Sequence, residues 1–371
     1  MNTKRLLLVQ NDPMLATCFG EALAAIGLDV YVAPNASSAL QRLEEVVPDL
    51  IVIDLVVPGM DGAQLIRKIR NEKGGSLPII VLPTHLEPLA LAAHQANATT
   101  VLERFSDPVA AVVNAVETAL GGEASVLRSK SDSVGLDSRL AQLRAALPAR
   151  LVDLRQSLHE LASGQHQSNI ANFFQHAHNF AEQTALLHLK AVVTLAYALE
   201  TLTFDIQGLP EQLNASTLRT LGQGIDLLAT LLEKDRWEKV KHPSDARILV
   251  VEDDANAQQL ITASIELVQL EAVGAATPTA SLNNLQVGSF DLVFLDIGLP
   301  EMNGFDLCTK VRALPQFEKT PVVFLTGMAT FQNRAQSTLS GGNDFIGKPF
   351  NVRELGLKAL IWVFKGQLGL I

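Results

Sequence analysis

Near each end of this chain, short runs of Val, Ile and Leu alternate with segments whose apolar residues recur at helical spacing; the middle shows helical spacing alone. The runs at 6–9, 50–53, 248–251, 292–295 and 322–325 are apolar at every position, as expected of parallel strands covered on both faces. Segments such as 63–70 are amphipathic helices, so each end reads as a βαβ fold with a parallel sheet. From 138 to about 234 little strand signal remains. Phe173, Ala177, Phe180, Thr184 and Leu187 share one helical face. Leu143, Leu147, Leu151, Leu154, Leu158 and Leu161 mark another helix, or a pair interrupted by Pro148. Four or five such helices predict an antiparallel bundle. Small and polar residues at 121–137 and 236–246 read as linkers. The expected fold is α/β plus all-α, with two α/β domains at 1–120 and 247–371 flanking a helical bundle at 138–235.

The two ends are copies. Asp54, Pro58, Met60 and Gly62 match Asp296, Pro300, Met302 and Gly304 at a constant offset of 242 residues. In the second copy four apolar runs end in polar residues: Glu252, Asp253 and Asp254; Asp296; Thr326; Lys348. Ligands of open α/β sheets sit at the carboxyl ends of the strands, so these tips meet in one place. Acids suited to Mg2+, a carboxylate nucleophile, a hydroxyl and an ammonium group make a set for phosphoryl chemistry.

In order and spacing these elements resemble a response-regulator receiver domain, covering 245 to about 367, and the expected fold is then flavodoxin-like, (βα)5. The resemblance implies that Asp296 accepts the phosphoryl group. Asp253, Asp296 and the backbone carbonyl of Gly298 would hold Mg2+, with Glu252 acting through the metal's water. Lys348 would pair with Asp296 and the phosphate, and Thr326 would hydrogen-bond the phosphoryl group. Phe345 would be the rotating aromatic of an output face spanning roughly 328–367.

The first copy keeps the fold pattern and loses the chemistry. Glu252 and Asp253 become Gln10 and Asn11, leaving Asp12 of the acid cluster beside Asp54. Neutral amides are poor substitutes for anionic oxygen around a hard divalent cation. Thr326 matches Pro83, or Thr84 if the one-residue gap falls elsewhere; Lys348 becomes Arg104 and Phe345 becomes Val101. Residues 1–120 are expected to be a degenerate receiver serving as an interaction surface.

Within the helical segment, 177–200 resembles the active helix of a histidine phosphotransfer (HPt) domain, with His178 as its phosphohistidine. Where that family has a glycine one turn on, this chain has Glu182. Three readings stay open: a phosphorelay histidine, a surface histidine on a helical spacer, and a phosphatase-like helix face using exposed Glu182 and Gln183.

Composition narrows the class. A formal charge of −10 argues against nucleic acid and anionic membranes as partners, and two cysteines exclude a disulfide scaffold. No apolar run approaches the roughly 18 residues that span a bilayer, and the start is too short for a signal peptide, so a cytoplasmic protein is expected. No P-loop lysine motif is evident, so the chain is not expected to be an enzyme and depends on a sensor histidine kinase or HPt protein for phosphate. A downstream signalling protein is the other expected partner, and a homodimer is left open. Alternatives to phosphosignalling through Asp296 are a non-catalytic scaffold and the regulatory front half of a cyclic-dinucleotide enzyme.

Overall fold

The structure, a computed structural model, describes residues 3–102, 107–121, 133–164, 167–327 and 339–371. The chain divides into two compact units, 1–150 with 178–188, and 151–177 with 189–371.

In the first unit the elements run β1 (Arg5–Val9), α1 (Pro13–Ala25), β2 (Asp29–Ala33), α2 (Ala36–Glu45), β3 (Leu50–Ile53), α3 (Gly62–Lys73), β4 (Ile79–Val81), α4 (Glu87–Gln95), β5 (Thr100–Val101) and α5 (Pro108–Ala119). Every strand pair is parallel, in the order β2-β1-β3-β4-β5. Side chains alternate across a strand, so the sheet feeds two cores. Leu7, Val9, Ile51, Ile53, Ile79 and Val81 pack with α2, α3 and α4. Leu6, Leu8, Leu50, Val52 and Ile80 pack with α1 and α5. That second core also takes Leu143 from a long helix, α6 (Ser133–Ser163), and Leu186 from α7 (Gln167–Leu186).

The second unit opens its described helices with the remainder of α6 and α7, then α8 (Lys190–Gly208) and α9 (Ala215–Leu232). Its sheet is built from β6 (Arg247–Val251), β7 (Glu271–Ala275), β8 (Leu292–Asp296), β9 (Val322–Thr326) and β10 (Asp344–Gly347), interleaved with α10 (Ala255–Glu266), α11 (Pro278–Val287) and α12 (Gly304–Arg312). The order β10-β9-β8-β6-β7 repeats the first sheet. The last helix, α13 (Val352–Gln367), packs against α8, α9 and α10. Residues 354–364 of α13 are therefore buried on every side, which explains a sequence there with no continuous polar face. Two flavodoxin-like sheets thus flank a helical region.

The middle differs from the sequence reading in two respects. Helix α6 begins at Ser133, inside the segment expected as linker 121–137, whose residues 122–132 lie outside the described ones. Of the two forms left open at Pro148, one helix or an interrupted pair, α6 is the single helix. The residues expected as one bundle are shared between the two units. At 236–246 the chain forms short 3-10 turns, Glu233–Lys239 and Pro243–Asp245. Among the described residues no helix is long and apolar enough to cross a membrane.

The repeated Gly62 and Gly304 have a common cause. Each opens a helix whose first turn folds back on the strand exit, with Gly62 N donating to Leu55 O and Gly304 N to Ile297 O, both 3.1 Å. Asp61 and Asn303 cap these helices through Ala63 N and Phe305 N. A Cβ on Gly62 would lie 2.5 Å from Leu55 Cα; on Gly304 it would run into Asp296 O and lie 2.9 Å from Ile297 Cα. These obstacles are backbone and cannot rotate away. Gly304→Ala is expected to destabilise the second unit by about 3 kcal/mol, the upper range for overpacking. Chemical denaturation checks this, and a loss under 1 kcal/mol would mean the turn yields.

Candidate phosphoacceptor site

The second sheet changes winding direction between β6 and β8, the place where such sheets bind ligands. Register brings the tips together: Val251 pairs with Leu295, Asp296 with Leu325, and Gly347 with Thr326. Glu252 leaves β6 buried and Asp253 exposed, while Asp254 caps α10 by accepting from Ala257 N at 2.8 Å. The three consecutive acids therefore do two jobs, two facing the site and one starting the helix. Asp296 is 8% exposed and Thr326 is buried. Lys348 Nζ bridges Glu252 Oε2 at 2.6 Å and Asp296 Oδ2 at 3.2 Å, and its backbone N donates to Thr326 O at 2.7 Å. Gly298 lies beside Asp296, since a Cβ there would sit 3.6 Å from Oδ2.

Burial pushes the Glu252 carboxyl above the ordinary carboxylate range; the Lys348 hydrogen bond opposes this and the Asp296 charge adds to it. Burial alone would lower the Lys348 ammonium, but Glu252 and Asp296 outweigh it and hold it above the ordinary lysine value. Lys348 thus pairs with two members of a cluster of three carboxylates, Glu252, Asp253 and Asp296, whose ligand atoms lie within 4.8 Å of one another. That excess of clustered anionic oxygen fits a hard divalent cation.

The first sheet places the equivalent residues in the same positions with different results. Equivalent strand registers (Ile53 with Val81, Leu295 with Phe324) put Pro83 in the place of Thr326 and Val101 in that of Phe345. Arg104 lies outside the described residues. Asp12 corresponds to the helix cap Asp254, and its Oδ1 accepts from Met14 N and Leu15 N at 2.9 and 3.0 Å. The surviving acid of the cluster is therefore the cap. Gln10 turns inward, donating from Nε2 to Asp54 Oδ2 at 2.9 Å and accepting from Asp12 N at 2.9 Å.

Helix α7 completes this pocket. His178 is 3% exposed, with Nε2 at 3.2 Å from Asp54 Oδ2. Gln183 is fully buried and donates to Asp12 Oδ2 at 2.9 Å, where Arg150 also approaches to 3.6 Å. Val56 N donates to Asp54 Oδ1 at 2.9 Å. An ionised carboxylate only accepts, so the His178 form that fits carries a proton on Nε2. Every oxygen of Asp12 and Asp54 faces donors from the chain itself. These positions correct two sequence readings: His178 is not a surface histidine, and Gln183 is not exposed for a phosphatase-like face.

Sequence reasoning missed a polar stripe on α9. Ser216, Arg219, Thr220 and Gln223 recur at i, i+3, i+4 and i+7, the spacing of a single helix face. That signal was available in the sequence; its partner, β10 with α13, was not.

Comparison with known proteins places both ends of the chain in one family. The family model of the response regulator receiver domain matches 6–115 and 248–359, together more than half of the chain. The chain belongs to the response-regulator receiver family, and it carries two receiver domains. Among curated relatives, a protein of Picosynechococcus named "Probable transcriptional regulatory protein" is 36% identical over 138 residues, 35% of this chain and 52% of its own length. RpaA of Synechocystis, a DNA-binding transcriptional regulator, is 32% identical over 112 residues, 29% of this chain and 45% of its own. The chain spans about half the length of these relatives. Among solved structures, the chemotaxis response regulator CheY4 of Vibrio cholerae is 29% identical, with TM-score 0.31, over 32% of this chain and 98% of its own.

Proposed function

We propose that the second receiver accepts a phosphoryl group on Asp296 from a phosphohistidine of a sensor kinase or HPt protein. The observation that carries this reading is Lys348 spanning Glu252 and Asp296 within a cluster of three carboxylates. An Asp296 oxygen attacks phosphorus, the O–P bond forms as the N–P bond breaks, and the imidazole leaves with the electron pair. Lys348, beside Asp296, and the Thr326 hydroxyl would meet the arriving phosphoryl oxygens, so that charge and hydrogen bond would be ready before transfer. Asp253, Asp296 and the Gly298 carbonyl would hold Mg2+, with Glu252 reaching it through water. The cation supplies neutralisation of the charge that gathers between carboxylate and phosphate. The chain then acts as a phosphoacceptor in a two-component pathway rather than as a conventional enzyme.

The first receiver has a different role in this reading. Its pocket is filled by His178, Gln183, Gln10 and Arg150, so Asp54 serves to hold α7 and carries no phosphate. With N and O only 3.2 Å apart, no phosphoryl group fits between His178 and Asp54. A relay through His178 is therefore disfavoured, and the first receiver contributes as an internal scaffold.

Intact mass spectrometry of the full chain with acetyl phosphate tests the proposal. One phosphoryl group is expected in Mg2+, and its uptake should fall at least about tenfold with chelator or in Asp253→Ala, given the preference of the cation for anionic oxygen. Equal labelling without divalent cation would overturn the metal assignment, and no labelling would overturn the phosphoacceptor role.

A further inference from the structure

The described elements on either side of Lys348 in the chain, β10 and α13, do not present a bare face. Helix α9 lays its polar stripe against it. The Arg219 guanidinium sits over the Phe345 ring, 4.2 Å from its centroid, and donates to Phe345 O at 3.3 Å. Ser216, one turn earlier, and the adjacent Thr220 donate to Glu354 Oε1 at 2.6 and 3.0 Å, and Gln223, one turn later, accepts from Lys358 Nζ at 3.5 Å. Arg219 Nε is buried and, among the described residues, has no hydrogen bond; Asp344 Oδ1 is 3.8 Å away. A buried donor left just short of an acceptor is uncommon in a settled contact and suits one with a second, tighter arrangement.

The route from the acid pocket to this contact is short. Lys348 holds Asp296, follows directly on β10, and is tied to β9 through Thr326 O. A dianion added at Asp296 must draw on Lys348, and Phe345 and Asp344 lie three and four residues earlier on the same strand. Both residues touch Arg219.

We propose that the partner of this receiver's output face is the chain's own helix α9, and that Arg219 is the positioning residue that passes the state of Asp296 to it. The proposal rests on Asp296 being the phosphoacceptor. Phosphorylation would change the Arg219 stacking on Phe345 and its distance to Asp344, and so loosen or tighten α9 against α13. A second copy of the chain could use the buried α13 face only by displacing α8 and α9.

The test is hydrogen exchange by mass spectrometry on the full chain with Mg2+, before and after acetyl phosphate, with intact mass read on the same samples. Wild type should change exchange across Ala215–Leu232 at least threefold on phosphorylation. Arg219→Ala and Arg219→Gln should take up the same phosphate and lose that response, and Arg219→Lys, which keeps charge without the planar fork, should retain part of it. A phosphorylated wild type with unchanged α9 exchange overturns the proposal, as does a full response in both Arg219→Ala and Arg219→Gln. A wild type that takes up no phosphate overturns this inference together with the phosphoacceptor reading, and the mass readout tells the two failures apart.

Discussion

Replacing Asp344 with alanine is expected to destabilise the second unit by about 3–5 kcal/mol, the range for a buried ion pair that loses one partner. Asp344 Oδ2 accepts from Lys358 Nζ at 2.7 Å and from Trp362 Nε1 at 3.2 Å. Lys358 is fully buried, and Gln223 at 3.5 Å is a weak substitute. The alanine variant therefore strands an ammonium in a dry interior. Lys358→Met combined with Asp344→Leu should recover much of the loss, because removing both charges also removes their desolvation cost. Burial alone would raise the Asp344 carboxyl, but the Lys358 ammonium, its hydrogen bond and Arg219 outweigh that and hold it below the ordinary carboxylate range. A depressed folded value gives stability that is complete above the unfolded carboxylate pKa of about 4. That stability is lost as pH falls through the lower folded value. Wild type should thus lose more stability than Asp344→Ala between about pH 5 and pH 2. Urea denaturation across that range measures it, and parallel curves would contradict the pair.

The second large effect is expected at His178. His178→Ala removes a hydrogen bond to a buried carboxylate and leaves a cavity, a loss of about 3 kcal/mol in the first unit. His178→Gln, which keeps a donor, should cost less. A double-mutant cycle with Asp54→Ala should return a coupling of about 1–2 kcal/mol, the range for residues in direct polar contact. Denaturation of the four proteins gives both values. An alanine variant within about 0.5 kcal/mol of wild type would mean that the buried contact does not hold α7.

The second receiver was readable in the sequence because its chemistry is written at strand ends. Apolar runs fix where the strands are, and the residue after each run must emerge at the carboxyl edge; Glu252, Asp296, Thr326 and Lys348 needed nothing else. The fold of the first copy was readable from the offset of 242 residues, and its loss of acids from Gln10 and Asn11. What occupies its pocket was not readable. His178 is 124 residues from Asp54 and Gln183 is 171 from Asp12, and helical periodicity assigns a face without naming what that face meets. The same gap hid the fate of α13. Its lack of a continuous polar face signals burial, yet only the structure shows α8 and α9 as the cover. Pro148 left one helix or two open for a local reason. Proline removes one backbone donor and clashes with the preceding turn, which usually ends a helix, whereas Leu147 and Leu151, buried on either side of it, keep α6 continuous.

If two receiver folds hold only one working pocket, the most direct measurement asks which aspartate carries the phosphate. The full chain is treated with acetyl phosphate and Mg2+, reduced with borohydride so that an aspartyl phosphate becomes homoserine, and mapped by peptide mass spectrometry. Homoserine at position 296, with position 54 and His178 unmodified, is the predicted result. Homoserine at position 54 in comparable yield, or phosphate on His178, would contradict it.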